Sequence, residues 1–328
     1  MNINNRHFIA VACSLIALFA ACKKDAKKTT SCTSTLYAYN VPYSGIGDTL
    51  GARTNGIVNP STGYISSIGT FTASAYTNQA AFNSADNCYY VFKTHMGVGA
   101  GYNTLYKISL SGVVITLTNI SPVLCYALTY NRVTNKLYCI TSTGYGIGTS
   151  SALAEITIAG SLYTTTNLTS GVHRPYGNNT TIDDNTGAVY FTTGDTTTSY
   201  IEKYIPGGSS STVVATVTSG WSLLGLSFNK NDNMLYAIRQ PHYPVTLADD
   251  FLKIDPATGT VATLSVLTFQ VNPEFYTACV DPCSNRYIIS TLGGPFWGSC
   301  YFNQLDMTGT LVHHDSTSGF IQGLSINY

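Results

Sequence analysis

Short stretches in which apolar and polar residues alternate follow one another along most of the chain, separated by turns rich in Asn, Asp and Gly. In one recurring pattern, an apolar strand ends in Asn or Asp, and a polar turn then leads into a strand that carries Tyr. The Asn or Asp ends recur at intervals of 48, 52, 46 and 52 residues: Asn83, Asn131, Asp183, Asn229 and Asp281. Alternation with a period of two between short polar turns predicts β-hairpins.

A second hairpin, with a glycine in its turn, follows each of these first hairpins. Its turn glycines are Gly112, Gly160, Gly207, Gly259 and Gly309, and Gly63 near the N-terminus is a sixth. Each repeat of about 50 residues therefore holds four short strands, a pattern typical of a radial array of small sheets. Six glycine turns predict six such repeats.

The two ends of the chain each carry part of one repeat. The stretch Gly323-Leu324-Ser325-Ile326-Asn327 repeats Gly225-Leu226-Ser227-Phe228-Asn229, but no second strand follows it. Conversely, Thr35-Leu36-Tyr37-Ala38 is similar to Met234-Leu235-Tyr236-Ala237 but has no first strand before it. We therefore expect the C-terminal strand to complete the N-terminal repeat, which would remove free sheet edges.

With these repeats, residues 32–328 resemble the six-bladed β-propeller superfamily, which includes the NHL, TolB-like and regucalcin/gluconolactonase groups, and also the seven-bladed YncE-like group. The resemblance implies an all-β fold of six four-stranded antiparallel blades in a ring that the C-terminal strand closes. It implies no single function, because propellers include enzymes, receptors and scaffolds.

The composition is typical of an all-β protein and argues against nucleic acid as a partner. Only 10 % of the residues are charged, whereas 24 are Tyr and 29 are Gly, which favours strands and turns over surface helices. The formal net charge is zero, so the chain has no basic surface of the kind that binds nucleic acid.

The N-terminus has the features of an export signal. Arg6 precedes an apolar run from Phe8 to Ala21, and the sequence Phe19-Ala20-Ala21-Cys22 resembles the lipobox of bacterial lipoproteins, although that family usually has Leu where Phe19 stands. The resemblance implies a signal peptide over 1–21, a lipid such as palmitate on Cys22, and an outer-membrane lipoprotein facing the periplasm or the cell surface. The polar residues 22–31, similar to those of Bacteroidetes lipoproteins, predict a flexible tether. Ordinary signal cleavage beside an incidental Cys22 is the alternative.

Longer, variable segments connect the strands at the face opposite the repeated turns. Loops that carry aromatic and polar side chains on a rigid scaffold are typical of binding sites, so we predict that this face binds a partner protein or a polar ligand, saccharide or peptide. Rings that merely fill the centre of the propeller are the alternative. The candidate ligand-binding residues are Trp221, Trp297, Tyr176, Arg174, Arg239, Tyr243, Tyr276 and Phe296.

The competing hypothesis is a metal-dependent hydrolase or lyase, similar to the lactonase group. His95, His173 and His242 lie in three different repeats on the loop-rich side and could together bind a divalent cation. No established catalytic motif is present, so the favoured protein is noncatalytic and has no cofactor. His313 and His314 are adjacent in a strand, point to opposite sides of the sheet, and are interpreted as structural.

Seven cysteines follow the tether, an odd number for an exported protein. Cys125 and Cys139 lie on neighbouring strands, and Cys279 and Cys283 flank a turn, so a bridge in either place is possible. Buried free thiols are the alternative.

Overall fold

The computed structural model describes residues 32–42, 53–71, 80–95, 102–119, 124–142, 151–169, 179–194, 198–218, 221–241, 248–272, 276–293, 299–317 and 319–327. Ser34–Asn327 form one compact unit. A second unit comprises Met1–Thr33 with Tyr328, and its described residues, Cys32 and Thr33, are exposed. The described ranges contain no helix long and apolar enough to cross a membrane.

The described residues form strands joined by turns. The strands are β1 (Thr35–Pro42), β2 (Arg53–Val58), β3 (Ile65–Phe71), β4 (Ala80–Asn83), β5 (Cys88–His95), β6 (Tyr102–Ser109), β7 (Val114–Asn119), β8 (Leu124–Asn131), β9 (Lys136–Ser142), β10 (Ser151–Ala159), β11 (Leu162–Asn167), β12 (Thr180–Ile182), β13 (Val189–Gly194), β14 (Thr198–Tyr204), β15 (Ser211–Thr218), β16 (Trp221–Asn229), β17 (Met234–Pro241), β18 (Asp250–Ile254), β19 (Val261–Val266), β20 (Tyr276–Asp281), β21 (Arg286–Gly293), β22 (Ser299–Asp306), β23 (Leu311–Thr317) and β24 (Gly319–Asn327).

These strands pair in antiparallel sets of four, as the repeat predicted. Sheet 1 has the order β24-β1-β2-β3, and sheets 2 to 6 each take the next four strands in chain order, from β4–β7 to β20–β23. One feature was not predicted: sheets 2 and 3 form one eight-stranded sheet, because β11 pairs in parallel with β7 at Leu162↔Thr118 and Tyr163↔Asn119.

The repeated Asn and Asp residues build one kind of turn. Each accepts, on its side-chain Oδ1, the backbone N–H two residues further on, as in Asn131 to Val133 (3.0 Å) and Asp281 to Cys283 (2.9 Å). The turn closes with a residue in the left-handed region, where Asn and Gly are tolerated best. The six predicted turn glycines also have positive φ. The closing residues of the first turns are Asn87, Asn135, Gly187, Asn233 and Asn285.

Several of these turn residues also bond to the next sheet. Asn131 Nδ2 donates to Gly187 O of sheet 4 (2.7 Å), and Asn229 Nδ2 donates to Asn285 Oδ1 of sheet 6 (3.1 Å). Both donors are buried, with Asn131 fully enclosed. These Asn side chains therefore stabilise both their own turn and a contact with the next sheet.

We expect Asn131→Ala to lower the free energy of unfolding by about 2 kcal/mol, because it removes two bonds inside the turn and leaves Gly187 O without this donor. Asn131→Asp keeps the turn acceptor that Asp183 and Asp281 use elsewhere, and it should cost less. Urea unfolding of both variants measures the difference. Wild-type stability of Asn131→Asp would contradict the separate inter-sheet contribution, because this variant keeps the turn acceptor and loses only the donor to Gly187 O.

In the described residues no hairpin turn joins the first two strands of sheet 1, because β24 and β1 come from opposite ends of the described chain. A cavity of about 410 Å³ lies there, lined in part by Leu36, Ile57, Asp281 and Ile288. The end of β24 and the start of β1 thus share the turn side of the sheets with every repeated turn.

Apolar clusters fill the space between neighbouring sheets, and large aromatic residues contribute much of the buried surface. Each cluster takes residues from two consecutive sheets, and sheet 6 packs on sheet 1 in the same way. From sheets 1/2 to sheets 6/1, representative pairs are Tyr39 with Tyr89, Phe92 with Tyr163, Tyr138 with Phe191, Ile201 with Leu252, Phe251 with Tyr287, and Leu292 with Phe320.

The first strand of every second sheet carries a β-bulge that contains a residue with positive φ. The bulges in β8, β16 and β24 contain Ala127, Gly225 and Gly323, which lie 98 residues apart, so two sheets make one longer repeat. A Cβ on Gly225 would lie 2.2 Å from Tyr287 Oη. Ala127, which has a Cβ, packs in a cluster with Val189, the residue at the position equivalent to Tyr287. The bulge residue is thus smaller where the neighbouring side chain is larger: glycine lies beside Tyr287, and alanine lies in a cluster with Val189.

The structure contains both free and disulfide-bonded cysteines. Cys125 and Cys139 are buried free thiols, and Cys279 is also free, so the bridges proposed for these pairs are wrong. Cys139 lies fully buried in the cluster between sheets 2 and 3, where burial raises its pKa well above the usual range. Cys32 and Cys283 are disulfide-bonded.

Candidate binding site at the loop ends of the strands

The strands of each sheet have a turn end, where the repeated hairpin turns lie, and a loop end, where longer segments connect them. We call the corresponding sides of the molecule the turn face and the loop face. Polar side chains lie at the loop ends of several sheets, including Arg53 of sheet 1 and Ser142 of sheet 3, and those of sheets 4, 5 and 6 are linked by side-chain hydrogen bonds. In sheet 5, Arg239 and Gln240 lie near the end of β17, and Asp249 and Asp250 lie at the start of β18.

Arg239 and Asp250 form an ion pair on one side of sheet 5. They are direct partners in the β17–β18 register, so the strands themselves bring guanidinium and carboxylate together. Arg239 Nε donates to Asp250 Oδ2 at 3.0 Å, Nη2 contacts the same oxygen, and Nη2 also reaches Thr263 Oγ1 at 3.3 Å. The guanidinium remains partly exposed, so an oriented charged group lies at the surface of the loop face.

Asp249 and Gln240 make a second group, joined to the segment after β19. Val271 N donates to Asp249 Oδ2 (2.7 Å), while Gln240 Nε2 donates to Val271 O (2.6 Å) and more weakly to Asp249 Oδ1 (3.4 Å). Asp249 is only 1 % exposed. Burial raises its pKa to about 6, and the charge of Asp250 adds to the rise, although the two donors oppose it. Asp249 can therefore change protonation near neutral pH.

Tyr276, a predicted ligand-binding residue, is buried and already hydrogen-bonded. Its hydroxyl donates to Asn179 Oδ1 (2.8 Å), which also accepts Gly225 N (2.7 Å), and Asn179 Nδ2 donates to Leu223 O (2.6 Å). Burial raises the Tyr276 pKa, so the hydroxyl stays protonated. One amide side chain thus joins sheets 4, 5 and 6 at their loop ends and fixes the position of these inner strands.

The remaining predicted residues are not brought together by described contacts. Trp221 begins β16 and His95 ends β5, both at loop ends, and their side chains are outside the described part. Among the described residues no cluster of three or more His, Cys, Asp or Glu could hold a metal. The following predicted residues lie outside the described ranges: Cys22, His173, Arg174, Tyr176, His242, Tyr243, Phe296 and Trp297.

The two histidines of β23 are held within sheet 6. His314 contacts Asn303 Oδ1 (2.5 Å) and stacks on Tyr301, while His313 lies 3.0 Å from Asp315 and edge-on to Phe302. The two rings therefore contact different neighbours, as predicted for adjacent strand residues.

No family model matches the sequence, and no curated protein matches it. Solved structures do match. A chain of a nidogen/laminin complex covers 90 % of this chain and 99 % of its own length at 10 % identity, with a TM-score of 0.59. TolB from Acinetobacter baumannii aligns with 89 % of this chain and 66 % of its own, at 12 % identity and a TM-score of 0.59. A periplasmic gluconolactonase from Pseudomonas aeruginosa covers 90 % and 99 % at 9 % identity, with a TM-score of 0.57.

These three proteins share the architecture of small four-stranded sheets arranged radially, which the sheets of this chain also have. The protein is a β-propeller. At identities near 10 % the likeness concerns the fold alone, so the chemistry of the propeller has to be argued from its own residues.

Sequence reasoning placed Arg239 on the loop face of the propeller but missed Asn179. Asn179 precedes β12 and has no counterpart in the repeated turns, so the only available signal was an Asn at the loop end of a predicted inner strand. Its role depends on contacts with residues 44 and 97 positions away.

Proposed function

We propose that this protein is a six-bladed propeller whose loop face binds a partner protein or a polar ligand, a saccharide or a peptide. The observation that carries the proposal is the partly exposed Arg239–Asp250 pair, which the β17–β18 register holds in place at the loop end. Oriented charged groups on rigid strands favour a polar ligand, because little side-chain entropy is lost on binding.

The six-bladed ring is itself part of this proposal. The sheets pack in chain order, and both the β24–β1 pairing and the Leu292–Phe320 contact support a ring completed between sheets 6 and 1. In such a ring the loop ends of sheets 4, 5 and 6 form an arc around the axis, and Asn179 stabilises that arc. The aromatic residues Trp221 and Trp297 would cover apolar faces of the ligand.

We further propose that the propeller is a bacterial outer-membrane lipoprotein anchored through Cys22. The support is the sequence alone: an apolar run of signal-peptide length, small residues before Cys22, and a polar segment before the first strand. A lipid anchor would hold the binding face within a fixed distance of the membrane.

A lactonase-like hydrolase or lyase is the second candidate. The likeness to the periplasmic gluconolactonase favours it, as does Asp249, a buried carboxyl whose pKa of about 6 suits proton transfer near neutral pH. A divalent cation would then be required, with His95, His173 and His242 as its candidate ligands.

Glycan and peptide arrays test the binding proposal. A ligand found there should bind Trp221→Ala/Trp297→Ala at least tenfold more weakly, since stacking on each ring contributes about 1 kcal/mol. Tyr64→Ala is the control, because Tyr64 is 70 % exposed in a turn on the opposite face. Unchanged binding by the tryptophan variant would contradict the assignment of the loop face.

Elemental analysis of the purified protein, with melting curves before and after EDTA, separates the two candidates. One bound divalent ion per chain, whose removal lowers the melting temperature, would favour the enzyme. No bound ion and no change would exclude the metal-dependent candidate.

A further inference from the structure

The chain enters the propeller on its turn face. Thr35 is the first residue of β1, and it pairs with Asn327 near the end of β24. The end of β2 lies beside them and leads into the turn that contains Gly63. Because β1 runs from this end toward the loop end, Ser34, the residue before β1, lies at the turn face.

The length of the segment between Cys22 and Ser34 limits the distance between a lipid on Cys22 and the start of β1. Twelve residues span at most about 40 Å when fully extended, and about 20 Å on average as a random coil. A strand of eight residues such as β1 adds about 27 Å between the turn face and the loop face. Because the average reach of about 20 Å is shorter than this depth of about 27 Å, the turn face lies nearer to the anchored lipid than the loop face does on average.

Three described cations of the turn face are paired with carboxylates. Lys107 pairs with Asp86 (2.5 Å), Lys253 with Asp232 (3.0 Å) and Arg132 with Asp184 (3.2 Å). Each of these three cations pairs with an acidic residue of a turn, so the described part of the turn face offers no strong basic patch to anionic lipid. The orientation proposed below therefore depends on the anchor and not on these charges.

From these observations we propose that the membrane lies on the side of the turn face and that the loop face points away from it. This orientation rests on the lipid anchor proposed above. It restricts the partner of the loop face to a soluble or polymeric molecule, a saccharide or a peptide, located beyond the propeller rather than to lipid of the same membrane surface. The Arg239–Asp250 pair then faces that partner directly.

Energy transfer to the membrane tests the orientation with two matched labels. Ala248 and Ala257 are both exposed and flank β18, the first at its loop end and the second at its turn end. Ala248→Cys and Ala257→Cys in the full-length lipidated protein carry the same donor dye, and vesicles carry an acceptor on their headgroups. The parent protein without either change gives the background from native thiols.

We expect the label at 257 to lie about 20 Å nearer the acceptor plane, given the rise per residue of a strand. Transfer should therefore be clearly more efficient from 257 than from 248. Equal transfer, or more efficient transfer from 248, would overturn the orientation. Vesicle flotation separates the two proposals: protein that does not float with vesicles, or that floats equally well as Cys22→Ser, contradicts the anchor instead.

Discussion

Gly225→Ala is expected to lower the free energy of unfolding by about 3 kcal/mol, measured by urea denaturation. The new Cβ would lie 2.2 Å from Tyr287 Oη and 3.0 Å from the Ala278 Cβ, so neighbouring groups must move. The backbone adds a further cost, because Gly225 has a φ of 64°, where a residue with a side chain is strained. Tyr287 also loses the geometry of its hydrogen bond to Gly225 O (2.7 Å).

The chain contains a natural compensation for this change. In sheet 3 the bulge residue is Ala127, and Val189 stands at the position equivalent to Tyr287. Adding Tyr287→Val to Gly225→Ala should therefore cost less than the sum of the two single changes, by about 1–2 kcal/mol. The converse change, Ala127→Gly, should have little effect. Strict additivity of the two changes would contradict the size matching between bulge and neighbour.

Asp249→Asn is expected to stabilise the protein above pH 6 and to have little effect near pH 4. The folded-state pKa of Asp249 is raised to about 6, so its carboxyl ionises less readily in the folded than in the unfolded protein. Wild-type stability therefore falls as the pH rises from about 4 to 6, by up to about 3 kcal/mol, and the full loss persists at higher pH. The neutral amide avoids this loss and can still accept the hydrogen bond from Val271 N.

Urea unfolding of wild type and Asp249→Asn from pH 4 to 8 measures this difference. Asp255→Asn is the control at the other end of β18, where hydrogen bonds from Ala257 and Thr258 lower the pKa of the Asp255 carboxyl. The control should therefore change stability in the opposite direction above pH 4. Parallel curves for wild type and Asp249→Asn would show that Asp249 is not destabilising when ionised.

The repeated hairpins were predictable because local chemistry determines them. An Asx acceptor such as Asn131 and a left-handed closing residue such as Gly187 or Gly259 give the same turn wherever they occur. The pairing of β24 with β1 also followed from sequence, since each end of the chain carries the missing part of one repeat.

The chemistry of the loop ends was less predictable, because it depends on contacts between distant residues. Asp249 and Asp250 are neighbours in sequence, yet one is enclosed beside Val271 and the other pairs with Arg239. A sequence shows two adjacent carboxylates and cannot show which is desolvated. The cysteines illustrate the same limit: Cys279 and Cys283 are close in sequence, but only Cys283 is disulfide-bonded.

The pairing of β24 with β1 also determines the order in which the fold can be completed. β1 is the first of the described strands to be synthesised, yet one of its two neighbours in sheet 1, β24, is the last of them. Until β24 emerges, one edge of β1 stays open and Tyr39 lacks part of its enclosure. Any nascent chain that stops before β24 would therefore keep an exposed strand edge, and synthesis of β24 is the step that removes this risk of aggregation.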